Sequence, residues 1–221
     1  MDKILAPLLH SPLLPDYLAQ LNHYWQEEKL KRKAFYDWLD EDTRAEFIEG
    51  EIVIHSPARQ AHIATLDNLG EQIKAFVVVR KLGLVCKGQA LVKMKRSDVM
   101  PGLLYFNNQT ALKITNQTKL FPVPDFIAAV LSPSTEKNDR NKKMIEYALN
   151  GVKEYWIVDA DLQTIEQYLL IGDKYQIRKK YEKLETVECI VLKGLMIDVS
   201  SLFNEEESQQ ALLNILMSGK D

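Results

Sequence analysis

The stretch VPDFIAAVLSPSTEKNDRNKK, residues 123–143, runs from an apolar segment through a turn of small residues into a basic helix start. A chain approaches an active site in this way. Beyond the turn, Asp139, Lys143 and Tyr147 stand at successive i, i+4 steps, so a helix carries an acid, an ammonium and a phenol on one face. An ammonium placed there can stabilise developing negative charge. A purely structural arrangement is also open, in which Asp139 caps the helix, Lys143 pairs with it and Tyr147 packs. Where a strand carboxylate would complete a catalytic centre, the chain has Ala128 and Ala129.

The elements that must position these groups follow from periodicity. Residues 16–39 place Leu18, Leu21, Trp25, Leu30, Phe35 and Leu39 at helical intervals, with Asp16 expected as the N-cap after Pro15. The basic cluster KLKRK, 29–33, is expected on a solvated face of that helix, with a phosphate contact as the alternative. AEFIEGEIVIHSP alternates around Gly50 as a strand or tight hairpin does, carrying Glu46, Glu49 and Glu51. From His62, an amphipathic helix follows. LGLVCKGQALVKMK alternates with a turn at Gly88, and VMPGLLYF and FIAAVL are expected as short buried strands. NDRNKKMIEYALNG is expected as one helix closed by Asn150 and Gly151. EYWIVD is a strand with Glu154 and Tyr155 at its exposed entrance, followed by a hairpin turning at Gly172 and Asp173. A last strand pair flanks Gly194, and the tail is a short amphipathic helix or a frayed end.

This order of elements is mixed α/β, of the α+β kind, without the strict βαβ rhythm of a doubly wound dinucleotide fold. GxGxxG, Walker, GxSxG and HExxH patterns are missing, which removes the usual sequence support for nucleotide binding, serine hydrolysis and zinc proteolysis. With 46% hydrophobic residues in 221, one sizeable core is expected. The expected division is a helical extension over 1–42, a main domain over 43–204 and a helical tail over 205–221. With 28 basic against 31 acidic residues, nucleic-acid binding requires a local basic patch. Cys86 and Cys189 lack CxxC spacing and are expected as free thiols, which fits a reducing cytoplasm. The proline-broken N-terminus lacks a convincing cleavage site and no run reaches membrane-spanning length, so a soluble, intracellular protein is expected.

LSPST (131–135), Asp139, Lys143, Tyr147 and GVKEYWIVD (151–159), preceded by EFIEGEIV (46–53), SP (56–57) and His62, resemble the restriction-endonuclease family of the Uma-two type, within the PD-(D/E)XK nuclease-like superfamily. The resemblance runs from about residue 16 to 203. It implies a restriction-endonuclease-like mixed sheet flanked by helices and metal-dependent phosphodiester hydrolysis, with magnesium held by carboxylates on adjacent strands and a lysine beside them. The family's first strand carries Pro-Asp, where this chain has Pro101 and Gly102. The family's second strand reads PD, a short apolar run and Glu-Val-Leu-Ser-Pro, and here Ala129 stands at that glutamate. Lys143, Asp139, His62 and Glu46 are what the resemblance leaves of a site.

Asp98 and Asp125 each lie four residues from a vacancy, roughly 13 Å along an extended strand. That is too far for a ligand bond of about 2.1 Å to the same magnesium ion. The reading favoured by these residues is a catalytically impaired nuclease-like protein that retains DNA or partner binding and holds no metal tightly. Two others stay open: a working magnesium-dependent endonuclease using displaced acids such as Glu46, Glu49 or Asp125, and a structural or homo-oligomeric protein joined through its N-terminal helix.

Overall fold

The structure, a computed structural model, describes residues 5–40 and 42–218. The first four residues of the N-terminal extension and the last three of the tail lie outside these. In chain order the elements are α1 (Leu5–Leu9), α2 (Leu14–Trp38), β1 (Ala45–Ile48), β2 (Glu51–Ile54), α3 (Gln60–Val79), β3 (Gly83–Lys87), β4 (Leu91–Lys93), β5 (Asp98–Val99) and β6 (Leu103–Asn107). There follow α4 (Asn108–Ala111), β7 (Leu120–Phe121), β8 (Phe126–Val130), α5 (Glu136–Asp139), α6 (Lys142–Leu149), β9 (Glu154–Asp159), β10 (Thr164–Ile171), β11 (Lys174–Tyr181), β12 (Thr186–Glu188), β13 (Met196–Asp198) and α7 (Glu205–Met217).

A six-stranded mixed sheet, in the order β11-β10-β9-β8-β6-β3, forms the centre, with β8 and β9 its parallel pair. Its inner strands bury both faces, so their side chains divide by parity. Leu103, Tyr105, Phe126, Ala128, Val130, Trp156 and Val158 pack with α3, α7 and the β12-β13 pair. Leu104, Phe106, Ile127, Ala129, Leu131, Tyr155 and Ile157 pack the opposite way, against Tyr147 of α6 and the second sheet. That five-stranded sheet has the order β2-β1-β5-β4-β7. Its outer face is closed by Phe35 of α2, which meets Ala45, Phe47, Leu91 and Met100.

Several local expectations change in the structure. The α2 helix begins at Leu14 with Leu13 in the cap position, and Asp16 lies inside its first turn, because Pro15 already supplies a helical φ at the start. VMPGLLYF is two strands in different sheets, since Pro101 has no N–H to give to a ladder. The single helix expected after SPST is broken between α5 and α6 at Asn141, whose φ and ψ are −126° and −90°. Glu154 and Tyr155 are fully buried, not at an exposed entrance. The Glu154 carboxylate accepts from Trp156 Nε1 at 2.7 Å, Gln167 Nε2 at 2.6 Å and the backbone N–H groups of Ile190 and Val191 at 2.9 and 2.8 Å. The tail forms α7 against α3, with Ser208 within 3.4 Å of Gln72.

Arg32 also leaves the solvated face expected of its cluster. Its guanidinium grips Asp98 at 2.6 and 2.7 Å and donates to the carbonyls of Met94, Lys95 and Ser97. It thereby fastens α2 to β5. Asp98 is fully buried, so Arg32→Met strands a desolvated carboxylate and should lower stability by about 3–5 kcal/mol in urea unfolding. Lys33→Met, on the exposed face, should stay within about 0.5 kcal/mol of the parent.

Candidate functional site

The β1-β2 hairpin turns at Glu49 and Gly50, both at positive φ (51° and 89°), the geometry of the tight turns that match strand twist. Its register pairs Glu46 with Val53 and continues to Arg44 and His55, where His55 N donates to Arg44 O at 2.9 Å. Period-two alternation puts Arg44, Glu46 and His55 on one face. Across from them comes the end of β8, with Ser132, Ser134 and Thr135 in the turn that follows and Asp139 and Lys143 beyond it. All of these but Glu46 border a partly enclosed cleft of about 110 Å³, shared with His62, Leu66, Met100, Pro101, Gly102 and Ala129.

At its base Lys143 lies between two carboxylates, with Nζ 2.7 Å from Glu46 Oε2 and 2.9 Å from Asp139 Oδ1. His55 Nε2 stands 3.1 Å from the same Glu46 oxygen, and the other Glu46 oxygen accepts the Met100 N–H at 2.6 Å. The contacts of Glu46 Oε2 are close ion contacts without aligned hydrogen-bond geometry. Glu46, Asp139 and Lys143 are each buried. Burial alone would raise the Glu46 carboxyl, but the Lys143 ammonium and His55 overcome it and hold the group down to about 2. Burial likewise opposes the Lys143 charge, and Glu46 and Asp139 hold that ammonium above the ordinary lysine value. Tyr147, the third member of the row, is buried edge-on to Tyr155 with ring centroids 5.0 Å apart, and its hydroxyl has no hydrogen-bond partner among the described residues. Burial pushes its phenol well up. Asp139 caps neither helix; it is the last residue of α5, and its carbonyl accepts from Tyr155 Oη.

Gly102 and Ala129 come together. The β6-β8 register, Leu103 with Ala128, continues to Gly102 beside Ala129, and both border the cleft. A Cβ on Gly102 would lie 3.1 Å from a Leu66 methyl and 3.4 Å from Ala128 O. Leu66 therefore occupies part of the space a side chain at 102 would take. His62 lines the same wall, its Nδ1 3.3 Å from Leu131 O. The other acids lie elsewhere. Asp98 is held by Arg32, and Asp125 pairs with Lys153 at 2.6 Å and accepts from the backbone and side chain of Asn107, lining a separate pocket. Glu49 and Glu51 face Lys142.

Arg44 and His55 were not singled out in the sequence. The hairpin register could have found them, since a turn at Glu49 and Gly50 sets both beside Glu46. With the Gln89 amide oxygen turned toward it, Arg44 donates at 3.1 and 3.3 Å to a neutral partner, so its charge stays available to the cleft.

The Uma2 family model, described as "Putative restriction endonuclease", matches residues 32–200, more than half of the chain. The chain belongs to the Uma2 family. A solved structure from Anabaena variabilis ATCC 29413, described as a putative nuclease belonging to DUF820, is similar with a TM-score of 0.66 at 17% identity. That match covers 80% of this chain and 96% of the other, and at such identity it shows a shared nuclease-like fold. Among curated proteins nothing matches.

Proteins of restriction-endonuclease type are typically metal-dependent, and the donor set here fits a divalent cation poorly. Among the described residues, no three His, Cys, Asp or Glu side chains converge as metal ligands do. The two carboxylates near the cleft already share an ammonium. Removing that ammonium by Lys143→Met leaves Glu46 and Asp139 desolvated together, and stability should fall by about 3–5 kcal/mol in urea. Because Glu46 is depressed in the folded state, its contribution is complete above its ordinary value of 4.5 and is lost as pH falls through about 2. Wild type should therefore lose stability across that window more steeply than Glu46→Gln, as read by urea midpoints at successive pH values.

Proposed function

We propose that this Uma2 protein binds the phosphate backbone of nucleic acid in the cleft and does not hydrolyse it efficiently. One observation supports the reading: Gly102 and Ala129, the positions that the resemblance gives to the family's two acids, sit side by side on the cleft wall, while the neighbouring carboxylates of Glu46 and Asp139 share the single Lys143 ammonium. In the family a divalent ion supplies polarisation of the phosphate and activation of water. This chain offers that ion hydrogen and methyl at the two acid positions. What remains suits phosphate oxygens: the Arg44 guanidinium, the Ser132, Ser134 and Thr135 hydroxyls, and His62 at the start of α3. Displaced acids give little support to a working endonuclease, since Asp98 and Asp125 are engaged away from the cleft and Glu46 is engaged at its base.

Calorimetry with Mn²⁺ should give no saturable binding for wild type, and single- and double-stranded DNA should remain uncut with Mg²⁺ or Mn²⁺. Fluorescence anisotropy should show salt-dependent DNA binding that Arg44→Gln weakens several-fold. Gly102→Asp with Ala129→Glu should create Mn²⁺ binding, and more strongly when Leu66→Ala clears the space beside residue 102. Tight Mn²⁺ binding by wild type that is abolished in Glu46→Ala or Asp125→Ala would reverse the proposal.

A further inference from the structure

The N-terminal arm, α1 and the first half of α2, lies outside the segment that matches the Uma2 family. Tyr17, Leu21, Tyr24, Glu28, Arg32 and Phe35 follow one row along α2 at spacings of three and four. The C-terminal half of this row seats on the body, where Phe35 is buried, Arg32 holds Asp98 and Glu28 holds Arg96. Its N-terminal half has no such seat, and no residue of α1 or of α2 before Glu28 is buried. Leu5, Leu9, Leu13, Leu18, Leu21 and Tyr24 are each between 45% and 59% exposed. Leu8 of α1 and Tyr17, Leu21 and Tyr24 of α2 line a shallow groove of about 510 Å³.

Charge decides what covers this surface. Residues 5–28 contain no lysine or arginine, and their acids are Asp16, Glu27 and the already paired Glu28. Nucleic acid or an anionic membrane surface would call for cations here. A basic partner would call for more acid than Asp16 and Glu27 supply, the latter already 3.3 Å from His23 Nε2. A near-neutral face of leucine and tyrosine complements itself, as a two-fold contact requires. Half-exposed side chains of this number offer on the order of 600 Å² per copy, which reaches the lower end of specific interfaces at roughly 1,200 Å² in total.

We infer that the arm joins two copies of this chain, with α2 crossing its own copy antiparallel at Leu21. In that crossing Leu18 faces Tyr24 of the second copy, and Tyr17 faces its Trp25. The contact is independent of the cleft. Light scattering on the full chain at tens of micromolar should give two copies for wild type and one for Leu18→Glu with Leu21→Glu, a weakening of at least ~100-fold, with an unchanged circular-dichroism spectrum showing that the variant is folded. If that double variant misfolds, Leu21→Cys serves instead: mild oxidation should cross-link it as a dimer, while Leu30→Cys on the opposite side of α2 should not cross-link. Three results would overturn the inference: a monomeric wild type, a dimer indifferent to the Leu18 and Leu21 changes, or equal cross-linking at residues 21 and 30. A monomer that floats with lipid vesicles would assign the arm to a membrane surface and overturn it as well.

Discussion

One ammonium holds the cleft together. Lys143 comes from α6, Asp139 from α5 and Glu46 from β1, so a single buried ion cluster ties the second sheet to the helices that follow β8. Each charge is tolerated because the others are present, since an isolated ion in such an environment would carry a desolvation penalty of several kcal/mol. The break between α5 and α6 at Asn141 does not separate the acid from the base, and the i, i+4 spacing still delivers a 2.9 Å contact. The same ammonium also engages one oxygen of each carboxylate, Glu46 Oε2 and Asp139 Oδ1.

The sheet does the rest of the positioning. Burial on both faces of β6, β8 and β9 makes register costly to change, because a one-residue slip would exchange the two hydrophobic sets. That constraint keeps Gly102 beside Ala129 and the SPST turn above them. Leu66, reaching across from α3, takes up part of the volume next to Gly102, so little room is left for a side chain at that point of the wall.

Much of this was legible in the residues. The hairpin at Gly50, the α3 helix, the β10-β11 hairpin at Gly172 and the mixed α/β order of elements all follow from local periodicity and turn chemistry, while the mixed sheet followed from the family resemblance. Family spelling located Gly102, Ala129, Asp139, Lys143, His62 and Glu46, and the fold does bring them to one region. Tertiary partners were the hidden part. Nothing local says that Arg32, in a basic run, turns inward to Asp98 sixty-six residues away, or that Glu154 is buried. Such polar groups are drawn inside by partners distant in sequence, and hydrophobic patterning carries no record of them. Pro101 is a further local signal: lacking an N–H to give a ladder, it divides VMPGLLYF between two sheets.

Glu154 bears on how the chain emerges from the ribosome. Its carboxylate is clothed by the side chains of Trp156 and Gln167 and by the amides of Ile190 and Val191. Before residues 190 and 191 emerge, the carboxylate has only Trp156 and Gln167 to replace water, so docking of β9 at the centre of the main sheet would leave part of the anion's hydration uncompensated. The segment that carries those two amides therefore favours a core completed after it has emerged.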